Sequence, residues 1–181
     1  MDITEIILDQ HDQQRRMFAQ LEEWPRDDIE GLGALWKRLA IFLETHAEGE
    51  ERYFYPHLLK VGKGEADADD GTVKGEVEDA MKDHNEIRDA LRRAEGAEVG
   101  SEEWWEAVTD ADVSNSDHMG EEERQDLRDF RAHASLQKRH DIAVQFLRFE
   151  ALTAAGGVPP IDKDAEAYVK DPRAEMRKAE G

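Results

Sequence analysis

The 181-residue chain contains no cysteine, which excludes disulfides, iron–sulfur clusters and thiolate catalysis together. It has no apolar run near the roughly 18 residues that a membrane span needs. Its first residues, MDITEIILDQHDQQ, lack the basic-then-apolar layout of a secretory leader, so a cytoplasmic location is expected. Strand-like alternation is almost absent. Positive charge is scarce: 24 Lys and Arg face 44 Asp and Glu, a net charge of −20. Such a field repels nucleic acid and anionic membranes, and neither is expected as a partner. The length suits one compact domain with a tail, expected as a monomer or weak dimer.

Helical periodicity divides the chain into five segments. The first covers about Asp2 to Trp24, with Ile3, Ile7, His11, Phe18 and Leu21 on one face and Pro25 as the stop. The second covers about Asp28 to Val61, with Leu35, Leu39, Phe42, His46, Glu50, Tyr53 and His57 along its seam. Gly62 to Gly75 is rich in Gly and Asp and reads as a loop. The third covers about Thr72 to Glu98, turning Val77, Met81, His84, Ile87 and Leu91 inward. The fourth starts at Ser101, a good N-cap, and continues past Trp104, Val108, His118 and Glu122 to about Arg131. A fifth amphipathic stretch covers about Leu136 to Leu152. Beyond Gly156-Gly157 and Pro159-Pro160 the chain is polar, which predicts a tail on the surface or disordered, with a short helix near Asp164 to Val169. The expected class is all-α: an up-down four-helix bundle over residues 1–155 with the fifth segment packed outside, then a polar tail over 156–181.

One pattern occurs twice. HAEGEER from His46 to Arg52 and HMGEEER from His118 to Arg124 share the form His-x-x-x-Glu-Glu-Arg. A lone histidine precedes each by nearly the same interval, 35 residues from His11 and 34 from His84. Duplication of a helical hairpin explains the repeat. On a helix, residues i and i+4 lie about 40° apart around the axis and roughly 6 Å apart along it. His46 and Glu50 therefore share a face, as do His118 and Glu122. Glu51 and Glu123 swing off that face and are expected as solvent carboxylates.

Both pairs stand where the apolar seam otherwise asks for leucine, a costly placement unless the groups pair or bind metal. A metal-free scaffold would leave six inward polar groups uncompensated. Gly49 and Gly120 weaken their helices by about 1 kcal/mol relative to alanine, leaving room either for a close helix or for the metal site. The donor set of nitrogen and oxygen without sulfur suits iron, manganese or zinc. A lone histidine on an amphipathic helix proves nothing; the repeated spacing carries the argument. His57 lies eleven residues beyond His46, about 16 Å along the helix, and His133 and His140 lack partners at matching spacing. These three are expected to be structural or exposed.

With these motifs, residues 1 to 150 resemble the hemerythrin-like family, whose order is His, His-x-x-x-Glu, His, His-x-x-x-Glu on four helices. The resemblance implies two non-haem irons bridged by two glutamates and an oxo or hydroxo group, held by His11, His46, Glu50, His84, His118 and Glu122. It departs from the five-histidine oxygen carriers: the i+3 and i+4 positions after His11 and His84 hold Gln14, Arg15, Ile87 and Arg88. Two octahedral irons need about twelve bonds, and this set leaves about two positions unfilled. Tyr53, three residues after Glu50, is the candidate for the gap as ligand or hydrogen-bond donor; the alternative is a tyrosine merely packed in the bundle. The expected activity is binding or turnover of a small oxidant (hydrogen peroxide, nitric oxide or dioxygen), with catalase-like or nitric oxide-consuming chemistry in view and an electron donor of unspecified identity. The alternatives are an iron- or oxygen-sensing regulator and a reversible dioxygen binder.

Overall fold

The computed structural model describes residues 1–64, 72–153 and 161–180. The chain is all-α, and no strand occurs among the described residues. Helix α1 (Ile3–Glu23) is capped by the Asp2 carboxylate, which accepts from the Thr4 amide. It ends at Trp24, where Pro25 cannot continue the ladder. Helix α2 (Ile29–Gly49) is capped by Asp28 accepting from the Gly31 amide. A five-residue π turn (Glu50–Phe54) follows, and α3 (Tyr55–Val61) continues beyond it. Helix α4 is Val73–Gly96, with Thr72 as its cap. Gly100 then turns the chain at φ +84°, a conformation that favours glycine. Helix α5 (Glu102–Arg124) starts where Ser101 accepts from the Trp104 amide, as its N-cap character predicts. A break at Gln125 separates α5 from α6 (Asp126–His133). Helix α7 is Leu136–Thr153, and two short helices, α8 (Ala165–Lys170) and α9 (Pro172–Glu180), close the described chain.

Helices α1, α2, α4 and α5 close into an up-down ring, each in contact with two others, and α7 packs outside on α1 and α2. The inward positions expected on α1, α4 and α5 are buried. They build two apolar clusters. One holds Ile3, Ile7, Phe54, Leu58, Met81, Phe130 and Phe146; the other holds Phe18, Leu21, Leu39, Leu43, Ile87, Leu91 and Trp104. The six candidate ligands belong to neither and fall between them in sequence on every helix. No described helix is long and apolar enough to cross a membrane.

The π turn has a visible cause. Pro56 lacks an N–H and cannot bond the Arg52 carbonyl, and its ring crowds the turn before it. The ladder instead reaches one residue further back, with the Tyr55 amide donating to the Glu50 carbonyl. The Glu51 carbonyl thereby loses its helical donor, because its next partner in that register is the proline nitrogen. The Tyr168 hydroxyl of α8 donates to it instead.

The third segment is helical from Val73, as expected from about Thr72, so the 62–75 loop ends before Gly75; residues 65–71 lie outside the described residues, as do Gly156-Gly157 and Pro159-Pro160. The C-terminal segment is not a surface tail: Lys163, Tyr168 and Met176 are buried. Its polar composition concealed this, because Lys163 is buried against acidic partners rather than apolar ones. Gly49 makes room for a helix, since a Cβ there would lie 2.7 Å from the Phe146 ring of α7.

Candidate metal centre

The helices bring all six predicted ligand residues into one buried layer, none more than 3% exposed. Their donor atoms converge. His46 Nε2 lies 2.9 Å from Glu50 Oε1, and His11 Nε2 lies 3.2 Å from Glu122 Oε2 and 4.0 Å from Glu50 Oε1. On the other side His84 Nε2 lies 3.4 Å, and His118 Nε2 4.0 Å, from Glu50 Oε2. Two groups of three thus have donor atoms within 4.8 Å of one another, His11–His46–Glu50 and Glu50–His84–His118, and Glu50 belongs to both.

The outward nitrogens are held by a device that is itself duplicated. His11 Nδ1 donates to Glu123 Oε1 at 2.9 Å, and Arg15 holds that same oxygen at 2.7 Å. His84 Nδ1 donates to Glu51 Oε1 at 2.9 Å, and Arg88 holds that same oxygen at 2.7 Å. The arginines occupy the i+4 positions after the lone histidines. The second Glu of each motif is therefore no solvent carboxylate but the outer partner of the other half's histidine. Glu51 is fully buried, contrary to expectation. The remaining two histidines are held by the residue just before each lone one. His46 Nδ1 donates to Gln10 Oε1 at 2.6 Å, and His118 Nδ1 stands 3.5 Å from Asp83 Oδ2. Such outer partners fix the tautomer and aim each Nε2 inward.

Burial and crowding set the charges. Burial pushes the Glu50 carboxyl well above the usual range, and the neighbouring Glu122 pushes it further. Burial and then the surrounding histidines hold His46 well below its ordinary value. His84 is lowered to about 4 by burial and then by His118. Burial also pulls His11 down, but Glu122 and Glu123 outweigh it and leave it raised. Burial opposes ionisation of Glu51, but Arg88, His84 and Lys163 outweigh it and keep it a carboxylate.

The residues present fit a pair of cations. Neither oxygen of Glu50 or Glu122 has a hydrogen-bond partner, nor do His11 Nε2 and His46 Nε2, although all are buried. His46 Nε2 and Glu50 Oε1 are close in distance yet do not meet at a hydrogen-bonding angle. Ligand bonds of about 2.1 Å at right angles put neighbouring ligand atoms about 3 Å apart; three of the donor pairs stand at 2.9–3.2 Å and three at 3.4–4.0 Å. His84 Nε2, bare because Nδ1 carries the proton, faces His118 Nε2 at 3.1 Å. A small void of about 10 Å³ borders His46, His84 and His118, with Leu43, Ala47 and Ile87 among its walls. That is room for about one water-sized molecule.

Tyr53 is not brought to this layer. It is half-buried, with its ring 5.8 Å from Phe149, and lines an outer cleft with Pro56, His57 and Lys60. The π turn is the reason: its added residue rotates Tyr53 off the Glu50 face and brings Tyr55 onto it. Tyr55 is fully buried with its ring 5.9 Å from that of His84, and its hydroxyl has no hydrogen-bond partner. Burial raises the phenol well above its usual value, and Glu122, Glu50 and Asp126 add to this. Sequence reading missed Tyr55 because it assumed an unbroken helix; Pro56 was the available signal. His57 and His133 bond backbone carbonyls one turn back, and His140 stands 3.4 Å from the amino terminus.

A model of the hemerythrin HHE cation-binding domain matches residues 2–130, well over half of the chain, and the protein belongs to that family. No curated protein and no solved structure matches it.

The outer shell extends to solvent at Glu150, whose carboxylate accepts from the Gln10 amide at 2.8 Å. Burial raises Glu150 to about 7. A carboxyl raised on folding contributes stability at low pH that is lost as pH climbs from the unfolded value of about 4.3 through about 7. Glu150→Gln is therefore expected to raise the thermal midpoint by about 2–4 °C at pH 8, with the gain vanishing near pH 4. Melting curves across this window check it.

Proposed function

We propose that this chain is a non-haem diiron protein that binds and turns over a small oxidant: hydrogen peroxide, nitric oxide or dioxygen. The observation that supports this most strongly is the buried layer of orphaned Nε2 and carboxylate oxygens, divided into two groups that share Glu50. His11 and His46 would hold one ion, His84 and His118 the other, with Glu50 and Glu122 between them. Two adjacent irons supply redox equivalents and sites for small ligands.

The chain's own residues do the rest. The Nδ1 partners Glu123, Gln10, Glu51 and Asp83 keep the imidazoles oriented, so little rearrangement is needed on binding. The apolar clusters above and below exclude bulk water from the layer. The void beside His46, His84 and His118, with room for about one water-sized molecule, favours a small guest over larger substrates. The Tyr55 hydroxyl, without a protein partner, offers a hydrogen-bond donor to a guest. Six ligand residues together with a bridging oxygen would under-fill two octahedral irons by about two positions, which favours turnover over reversible carriage. The partners in this reading are the oxidant and an electron donor, in a cytoplasmic monomer or weak dimer.

Stopped-flow mixing of the iron-loaded protein with peroxide, nitric oxide and dioxygen tests the reading. Rapid catalytic decay of peroxide or nitric oxide is expected. Spectral changes with dioxygen alone that reverse under vacuum would instead identify a carrier.

A further inference from the structure

The duplicated outer shell is unequal in its two halves. Glu123, the partner of His11, is 27% exposed and held by Arg15, itself 41% exposed. Glu51, the partner of His84, is fully buried and meets two buried cations, Arg88 and Lys163. Lys163 comes from beyond the family match. Its ammonium forms an ion pair with Glu51 Oε2 at 2.9 Å, without hydrogen-bonding geometry, and also holds Glu48. The Asn85 side chain, next to His84, fixes the Lys163 backbone from both sides, donating to its carbonyl at 2.9 Å and accepting from its amide at 3.3 Å. Arg92 pairs with Asp162, and the Tyr168 hydroxyl takes the Glu51 carbonyl that the π turn leaves without a donor.

We propose that the C-terminal segment is part of the metal centre: Lys163 is a positioning residue that acts through Glu51 on His84 and makes the His84–His118 half the tighter of the two. The metal part of this rests on the reading of the six residues as ligands. Without Lys163, the Glu48 and Glu51 carboxylates share a buried space with one cation fewer. Glu51 then gives up its fixed geometry, and His84 its single tautomer. The His11–His46 half is held instead by Glu123, Arg15 and Gln10.

The test uses the full chain and its Lys163→Met and Lys163→Arg variants, with histidine-ring nitrogen NMR as the readout. In the metal-free wild type, His84 is expected to carry its proton on Nδ1 alone; in Lys163→Met it populates both tautomers, and Lys163→Arg restores the first. Titration with zinc(II), which is diamagnetic, follows the two histidine pairs separately. The His84–His118 pair is expected to lose about 10–100-fold in affinity in Lys163→Met, with His11 and His46 unchanged. An unaltered His84 tautomer, or equal weakening of both pairs, overturns the proposal. If Lys163→Met does not fold, Lys163→Gln, which removes the charge and keeps a polar chain end, is read in the same way. A tautomer change in a protein whose wild type takes up no zinc would uphold the positioning role and sink the metal reading instead.

Discussion

Glu50→Gln is expected to empty both halves of the centre at once while making the metal-free protein more stable at neutral pH. Glu50 is the only residue common to the two ligand groups. Loss of an outer-shell partner costs about 10–100-fold in metal affinity, so loss of a carboxylate shared by both ions exceeds about 100-fold for each. The stability gain follows from linkage. The folded, metal-free protein holds the Glu50 carboxyl well above its usual range through burial and through Glu122. The stability it contributes is therefore present at low pH and lost as pH rises past the unfolded value of about 4.3. A neutral amide removes that loss. Denaturant titrations of metal-free protein should show Glu50→Gln ahead of wild type at pH 7.5, with the two converging near pH 4. A glutamate serving only as a structural acceptor would give the opposite: a variant weaker at pH 7.5 with unchanged metal content.

The second large effect separates two neighbouring tyrosines. Tyr55→Phe removes a buried hydroxyl that has no protein partner and lies on the Glu50 face. Because that hydroxyl makes no well-formed hydrogen bond in the bundle, its loss should cost the metal-free fold less than about 1 kcal/mol. In the iron-loaded protein the same change is expected to slow oxidant consumption by about 10²–10⁴-fold, the range for removing a positioned proton donor. It should also abolish any phenolate charge-transfer band. Tyr53→Phe, made on the outer cleft, should leave both spectrum and rate unchanged. Parallel stopped-flow and visible spectra decide the matter. Equal behaviour of the two variants would show that the π turn does not select Tyr55.

The contrast between the two tyrosines marks how far the sequence could be read. Four helices, the Ser101 cap and six inward donors follow from periodicity, because five of the donors lie on regular helix and Glu50, at i+4 from His46, stands just where the π turn begins. That arithmetic fails at Glu50–Phe54, where Pro56 forces the ladder to i+5 and moves one tyrosine out and the next one in. The outer shell was visible in retrospect. The repeated second glutamate and the arginine four residues after each lone histidine occur in both halves, and a repeat has a cause. Their partnership crosses from one half to the other, however, and helical geometry within one segment cannot show it. Lys163 and Tyr168 were least legible. They lie far from the motifs in a polar stretch, and only the three-dimensional fold carries them to Glu51.

Metal analysis of the protein purified from its native host decides whether the layer holds two irons. Two irons per chain are expected, reduced to none in Glu50→Gln. Fewer than about one iron per chain, with zinc or no metal in its place, would contradict that expectation.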